Sequence, residues 1–141
     1  MKITLENIQS QLISQKADAW IMLDYENHNP TFRALIGNKF LTRKILLAIP
    51  AVGKPYIIAH VIDSAFLKDP ETLSRFDLVL YKTWEEMLQA ERTHFSAYSN
   101  VLMDISEHGL LPRVSLADYG SVQFIKDLGI EVHSSADVRQ S

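Results

Sequence analysis

Apolar and polar positions alternate in blocks along this chain, and the blocks differ in period. Near the start, Leu5, Ile8 and Leu12 recur at helical spacing, which is typical of a helix with one buried face. The next apolar block, 19–23, is short, continuous and bounded by aspartates, which is typical of a strand covered on both faces. The chain is therefore predicted to open with a helix, capped by Thr4, and a buried strand.

Five more apolar blocks are typical of strands. Two of them are joined by the connection 50–55, which contains Gly53 and predicts a β-hairpin because it is short and lies between two apolar runs. The five predicted strands cover residues 45–49, 56–59, 78–81, 101–103 and 130–133.

Helical patterns separate most of these strands. One such pattern begins at Pro30, after Asn29 as a favourable N-cap, and ends at Gly37. A short helix is predicted over residues 61–67. We expect it to stop before Pro70, because the residue before a proline is biased away from helical geometry.

Two longer helices are predicted in the second half of the chain. The first follows Thr83, which together with Glu86 has the spacing of a capping box. The second follows Asp118 or Ser115, either of which can cap it, and ends at Gly129. The first of these helices is predicted to have one apolar face, formed by Trp84, Met87, Leu88, Phe95 and Tyr98.

The alternation of helices and strands predicts an α/β fold. Helices between strands favour parallel pairing with helices on both faces, and the hairpin requires at least one antiparallel pair. The sequence thus predicts a three-layer α/β/α fold around a mixed sheet of about six strands. Residues 1–141 are expected to form one domain, with a polar tail after residue 133.

Composition and charge restrict the kind of partner. The chain of 141 residues has a net charge of -3 and scattered lysines and arginines, so no basic surface for nucleic acid is expected. The absence of cysteine excludes a disulfide framework and a thiolate metal site. No apolar run approaches the ~20 residues that span a bilayer, and the N-terminus does not resemble a signal peptide. We therefore expect a cytoplasmic protein that binds neither nucleic acid nor membranes.

Sequence motifs of catalytic sites are missing. The 5 glycines are isolated from one another, so there is no phosphate-binding loop, and no serine lies in a nucleophile elbow. No histidine has a partner at the spacing of a helical metal site. The densest polar cluster, Asp104, Glu107 and His108, is either a metal-binding turn or, as the nearby Gly109 favours, a solvated loop. We expect no constellation in this chain that does chemistry unaided.

One loop concentrates polar and titratable side chains. The segment 24–29 follows the first predicted strand, and ligands of α/β sheets bind where strands end. Two interpretations stay open: a binding loop, or a surface loop with a helix cap. Tyr25 and His28 are the residues in this segment that we expect to face a ligand or partner.

These segments also carry a resemblance to a known family. The chain resembles, almost from end to end, the N-terminal domain of the creatinase/prolidase/Xaa-Pro aminopeptidase family, the "pita-bread" metallopeptidases. The segments occur in the family's order. They include DAWIMLDY (18–25), NP (29–30), LIG (35–37), LTRK (41–44), YKTWEE (81–86), MDIS (103–106), LPRVS (111–115), DYGSV (118–122), DLGIEV (127–132) and SSAD (134–137).

The resemblance implies a ribonuclease H-like fold and a non-catalytic role. In this family a C-terminal domain binds two divalent metal ions, such as manganese, and hydrolyses the peptide bond before proline. None of that domain's metal ligands can be assigned here, so the catalytic domain is expected to be absent from this chain. This chain alone should not be an enzyme, whereas the parent protein should be a metal-dependent Xaa-Pro peptidase.

The resemblance also implies partners and site residues. N-terminal domains of this family mediate dimerisation and help to wall the active site. The expected partners are therefore the protein's own catalytic domain, a second copy in a homodimer, and a proline-containing peptide. The implied substrate-entrance or partner-facing residues are Tyr25, Glu26 and His28, with Arg43 as a further candidate.

Other functions stay open at this point. One is a free-standing binding or interaction module with the same fold and no peptidase activity. Another is an enzyme that uses the cluster of Asp104, Glu107 and His108 with a metal. Aminopeptidases, dipeptidases and non-peptidases such as creatinase share this type of domain, so the residues do not choose among these parents.

Overall fold

The computed structural model describes residues 4–37, 39, 41–106 and 116–140. Its elements follow the predicted order, with two short helices in addition. The helices are α1 Leu5–Gln15, α2 Pro30–Ile36, α3 Pro70–Arg75, α4 Trp84–Phe95, α5 Tyr119–Asp127 and α6 Ala136–Gln140, with a 3₁₀ helix at Val61–Phe66. The strands are β1 Ala19–Asp24, β2 Ile45–Pro50, β3 Tyr56–His60, β4 Asp77–Tyr81, β5 Asn100–Met103 and β6 Glu131–Ser134.

The strands form one 6-stranded sheet in the order β4-β3-β2-β1-β5-β6. Strand β2 is antiparallel to both of its neighbours, β1 and β3, whereas the remaining pairs are parallel. The predicted mixed sheet and its hairpin are thus confirmed. As a consequence, the amino end of β2 lies at the same edge of the sheet as the carboxyl ends of the other strands.

Helices cover both faces of the sheet. Helices α1, α2 and α6 contribute to the core on one face, where Trp20 and Phe32 are fully buried. Helices α4 and α5 contribute to the core on the other face, which includes Ile21 and Phe95. Every residue of β1 is buried. The prediction of a three-layer fold with a central strand covered on both faces is therefore confirmed.

The predicted N-caps account for where the helices begin. Thr4, Asn29 and Asp118 each accept a hydrogen bond from a backbone amide in the first turn of the helix that follows. Asp118, rather than Ser115, is thus the cap of α5, and Ser115 lies outside the described residues.

Only one of the two hydrogen bonds of a capping box is present at the start of α4. The Thr83 hydroxyl accepts from the Glu86 amide at 3.2 Å, as predicted. The Glu86 carboxylate, which should reach the Thr83 amide, instead lies 3.4 Å from the Thr83 hydroxyl.

The predicted apolar face of α4 is wrong at both ends. Met87 and Phe95 are buried, but Trp84 is 65% exposed. Trp84 is the first residue of the helix and follows the carboxyl end of β4, so it lies at the edge of the sheet rather than over it. Tyr98 lies beyond the end of α4, in the turn that leads to β5.

Two short helices were not expected. Pro70 begins α3 instead of only ending the preceding helix, because Asp69 caps it by accepting from the Thr72 amide at 3.1 Å. The tail after β6 forms α6, whose Val138 is 2% exposed. Among the described helices, none has both the length and the apolar character needed to cross a membrane.

Candidate functional site

A groove lies at the sheet edge where β1 ends. Its position follows from the antiparallel register of β1 and β2, which pairs Asp24 with Ile45 and so brings Lys44 to the loop after β1. The groove has a volume of about 490 Å³. We call it the β1 groove, and its lining includes Asp24, Tyr25, His28, Lys44, Leu116 and Asp118.

Asp24 is the buried acid of the β1 groove, with 4% of its surface exposed. Its Oδ1 accepts from the backbone amides of Tyr25, at 2.8 Å, and Asn29, at 2.9 Å. Its Oδ2 is buried and has no hydrogen-bond partner among the described residues. One carboxylate oxygen therefore shapes the loop, while the other is buried without a donor among the described residues.

The loop between Asp24 and Asn29 has an unusual backbone. Glu26 and Asn27 adopt positive φ angles of 54 and 61°. Left-handed geometry is uncommon for residues other than glycine and persists where surrounding contacts enforce it. Here the two hydrogen bonds to Asp24 Oδ1 bracket the strained pair.

The far end of the loop is anchored in the core through Asn29. This side chain is 1% exposed, and its Nδ2 donates to Asp104 Oδ2 at 2.9 Å and to the Leu23 carbonyl at 3.1 Å. Asp104 Oδ1 in turn accepts from Trp20 Nε1 at 3.0 Å and from the Ser135 hydroxyl at 2.6 Å. A fixed polar network thus connects the base of the loop to β1, β5 and the start of α6.

The network corrects the interpretation of the Asp104 cluster. Asp104 is 1% exposed, so it is not part of a solvated loop. Glu107, His108 and Gly109, which completed that cluster, lie outside the described residues. Within the described ranges, no three histidine, aspartate or glutamate side chains come together as a metal site.

His28 closes the loop by a contact between its Nδ1 and the Tyr25 carbonyl oxygen. A carbonyl oxygen only accepts hydrogen bonds, so Nδ1 must carry a proton in this contact. In the neutral ring Nε2 is then an acceptor, which adds a second acceptor to the groove that His28 lines.

Lys44 is directed toward α5. Its Nζ donates to the Ser121 hydroxyl, which donates to Asp118 Oδ1 at 2.7 Å. Its backbone carbonyl accepts from the Tyr81 hydroxyl at 2.5 Å. Asp118 belongs both to this chain of contacts and to the lining of the β1 groove, and hydrogen bonds from Ser121 hold its pKa below the usual range against its partial burial.

A second buried acid, Glu91 of α4, lies near Lys44 and Asp118. It is 1% exposed, and neither of its carboxylate oxygens has a hydrogen-bond partner among the described residues. Burial raises the pKa of Glu91 to about 7. The positive charge of Lys44 opposes this rise and the negative charge of Asp118 adds to it.

The structure separates the four predicted entrance residues. Tyr25, 53% exposed, and His28 both line the β1 groove. Glu26 is exposed but is not part of the lining. Arg43 is also outside the lining, with its backbone amide donating to Asp63 Oδ2 at 3.0 Å. The roles expected of these four residues at a substrate entrance or partner surface stay predictions.

Two charged lining residues were missed by the sequence. Asp118 was expected only as a helix cap, and Lys44 was not singled out at all. Lys44 immediately precedes a predicted hairpin strand, but its place in the groove depends on the β1–β2 register, which the sequence alone did not fix.

A second cleft, of about 590 Å³, lies beside β6. Its lining includes Lys16, Glu131, His133 and Asp137. The Glu131 carboxylate and His133 Nε2 already pair with each other at 2.7 Å, and both side chains are exposed. The β1 groove is the better candidate, because it alone of these two contains a buried carboxylate oxygen without a partner in the described part of the chain.

Proteins of known structure share this fold. The sequence matches no protein-family model and no curated protein. Among solved structures, the creatinase/prolidase N-terminal domain of an X-Pro dipeptidase from Streptococcus pyogenes is similar, with a TM-score of 0.72 and 14% identity over 99% of this chain and 98% of that one. This chain has the fold of a creatinase/prolidase N-terminal domain.

Longer proteins contain the same fold. The prolidase from Pyrococcus horikoshii is similar over 95% of this chain and 33% of its own, with a TM-score of 0.66 and 13% identity. A dipeptidase from Mycobacterium ulcerans is similar over 96% of this chain and 34% of its own, with a TM-score of 0.68 and 18% identity. The fold of this chain thus corresponds to about a third of these longer chains.

Proposed function

We propose that this chain is the non-catalytic N-terminal domain of a metal-dependent Xaa-Pro peptidase. The observation that supports this most strongly is the end-to-end similarity to an isolated N-terminal domain of an X-Pro dipeptidase. Similarity to one third of longer prolidases supports the same division, in which a separate region of the protein carries the chemistry.

The catalytic steps belong to the partner domain in this proposal. Two divalent metal ions, such as manganese, would be held there and would supply the hydroxide that attacks the bond before proline. This domain's own contribution is a shaped edge, where Tyr25, Glu26 and His28 are exposed at the end of β1. Arg43 lies at the same edge of the sheet, before β2. Together these side chains would line the entrance for a proline-containing peptide.

A rigid support makes that role physically reasonable. The loop that carries Tyr25 and His28 is held at its start by Asp24 and at its end by Asn29. Asn29 is itself fixed by the buried Asp104. A wall residue held in this way restricts the positions open to a peptide, and correct placement of a substrate can supply much of a rate enhancement.

The proposal also covers assembly and location. We propose that the domain mediates formation of a homodimer in which one copy helps to enclose the active site of the other. We further propose a cytoplasmic protein; a sequence without cysteine is compatible with a reducing compartment, because it has no disulfide to maintain.

The first test compares this chain with the full product of its gene. Both are purified, loaded with manganese and assayed for hydrolysis of a series of Xaa-Pro dipeptides. The full product is expected to release the Xaa residue, while residues 1–141 alone are expected to be inactive. Activity in the isolated chain would overturn the non-catalytic assignment. A full product without activity would favour the alternative, a free-standing interaction module of the same fold.

A further inference from the structure

We propose that the β1 groove binds a primary ammonium group, with the buried Asp24 Oδ2 as its principal acceptor. The inference deepens the proposed function. It rests on that function only for the natural source of the ammonium group, which would be a peptide. The α-ammonium of a peptide and the ammonium of a lysine side chain share this chemistry, and the experiment below distinguishes them.

The first observation is the state of Asp24. The carboxylate is almost completely buried, yet Oδ2 lacks a hydrogen-bond partner in the described part of the chain. An unpartnered buried carboxylate oxygen is costly, because it has lost its water without gaining a donor. Asp24 lines the β1 groove, so a donor that enters the groove would lie beside this carboxylate.

The second observation is that other lining groups also accept. His28 Nδ1 is committed as a donor to the Tyr25 carbonyl, so Nε2 of the neutral ring is an acceptor. The Asp118 carboxylate lies in the lining as well. An ammonium group has three donors and no acceptor, and three acceptors in one groove match that requirement.

Lys44 does not compete for Asp24 in this structure. Its Nζ donates to the Ser121 hydroxyl, on the helix α5 side of the groove. The lining therefore contains two carboxylates, Asp24 and Asp118, and a single lysine whose hydrogen bond is directed to α5. The charge balance of the groove favours a cation over an anion.

Apolar groups in the lining suit an organic cation rather than a bare metal ion. Tyr25 lines the groove, and aromatic side chains attract ammonium groups. Leu23 and Leu116 also line it and offer contact for the carbon atoms beside the charge. Within the described ranges, no three histidine, aspartate or glutamate side chains come together as a metal site.

The experiment is a titration of the isolated, isotope-labelled chain followed by NMR. The probe is trialanine amide, which has a free α-ammonium and no carboxylate. It is expected to shift the backbone amide signals of residues 24–29 in a saturable way. N-acetyl-trialanine amide is the same size without the charge and is expected to cause no saturable shift. N-acetyl-lysine amide carries the ammonium on a side chain.

Two isosteric variants locate the acceptor. Asp24→Asn keeps an oxygen for the loop amides but replaces Oδ2 by an NH₂ group, and should weaken binding at least about tenfold. Asp18→Asn is the matched control: Asp18 lies just before the other end of β1 and also accepts two backbone amides, from Ser99 and Asn100. It should leave the affinity unchanged.

The outcomes separate cleanly. Saturable binding of trialanine amide, lost in Asp24→Asn and kept in Asp18→Asn, supports the proposal, and the affinity ratio to N-acetyl-lysine amide identifies the preferred source. Equal binding of the acetylated peptide, or no saturable shift from either ammonium probe, overturns it even if Asp24→Asn fails to fold. The binding assay uses no catalytic domain, so a lack of ammonium binding would not contradict the peptidase assignment. Conversely, an inactive full product would not contradict ammonium binding by the groove.

Discussion

Asn29 and Asp104, which are 75 positions apart in the sequence, are joined by a buried hydrogen bond of 2.9 Å from Nδ2 to Oδ2. The same Asn29 side chain caps α2, accepting from the Thr31 amide at 3.1 Å and the Phe32 amide at 3.2 Å. One residue thus begins a helix, ends the loop that borders the β1 groove and connects both to β5. The geometry of the groove depends on a contact between distant parts of the chain.

Replacement of Asp104 should therefore lower the stability of the folded protein. Asp104→Ala leaves the buried donors of Trp20, Asn29 and Ser135 without their acceptor, and should lower the free energy of unfolding by about 3–5 kcal/mol. Urea denaturation measures this loss. Asp77→Ala is the control, because its 3.2 Å ion pair with Lys54 is exposed and should contribute less than about 1 kcal/mol. Equal effects of the two substitutions would contradict the role assigned to Asp104.

Glu91 should make stability depend on pH. Its folded-state pKa of about 7 exceeds the ordinary glutamate value of 4.5, so the folded protein binds the proton more tightly than the unfolded chain. The contribution of Glu91 to stability is fully present below pH 4.5 and is lost as the pH rises to about 7. The loss is of the order of 3 kcal/mol.

Glu91→Gln tests this sign. The amide cannot ionise, so the variant should lose this part of the pH dependence and should be less sensitive to a change from pH 5 to pH 8, roughly the window set by the two pKa values. Thermal melts at several pH values measure the difference. Glu86→Gln, an exposed site on the same helix, should melt with the wild-type pH dependence. The assignment would be refuted if the wild type became steadily more stable across this pH window and Glu91→Gln showed the same pH dependence.

Trp84 should be dispensable for folding. Because the side chain is 65% exposed at the start of α4, Trp84→Ala is expected to change the free energy of unfolding by less than about 1 kcal/mol. Phe95→Ala, at a fully buried position of the same helix, should cost about 3–5 kcal/mol. Chemical denaturation of the two variants measures both values. A larger loss for Trp84→Ala than for Phe95→Ala would restore the apolar face predicted from the sequence.

The sequence predicted those parts of the fold that depend on local chemistry. The buried strand β1 was visible because its apolar run is continuous, and Thr4, Asn29 and Asp118 were visible as caps because they precede apolar helical patterns. Pro70 misled the prediction: the same residue that ends one helix begins the next when a capping aspartate precedes it.

The groove itself was only partly predictable. Tyr25 and His28 were found because they follow a strand directly. Lys44 lies beside them only because β2 pairs antiparallel with β1 in one register, with Ile45 opposite Asp24. A pairing register is a property of the folded sheet, set jointly by the pattern of both strands and by the turn, so a single local segment does not reveal it. The buried Asp24 Oδ2, which lacks a partner among the described residues, was hidden as well, because burial of a single oxygen is a property of the folded chain.

The proposed wall of the active site can be tested in the full product of the gene. The measurement is kcat/KM for an Xaa-Pro dipeptide with manganese present, for the wild type, the double variant Tyr25→Ala/His28→Ala, and Val52→Ala. Val52 is an 81% exposed control in the β2–β3 turn, at the opposite edge of the sheet. We predict a loss of about tenfold or more in the double variant, through poorer placement of the peptide, and wild-type values for Val52→Ala. An unchanged kcat/KM in a correctly folded double variant would contradict the account.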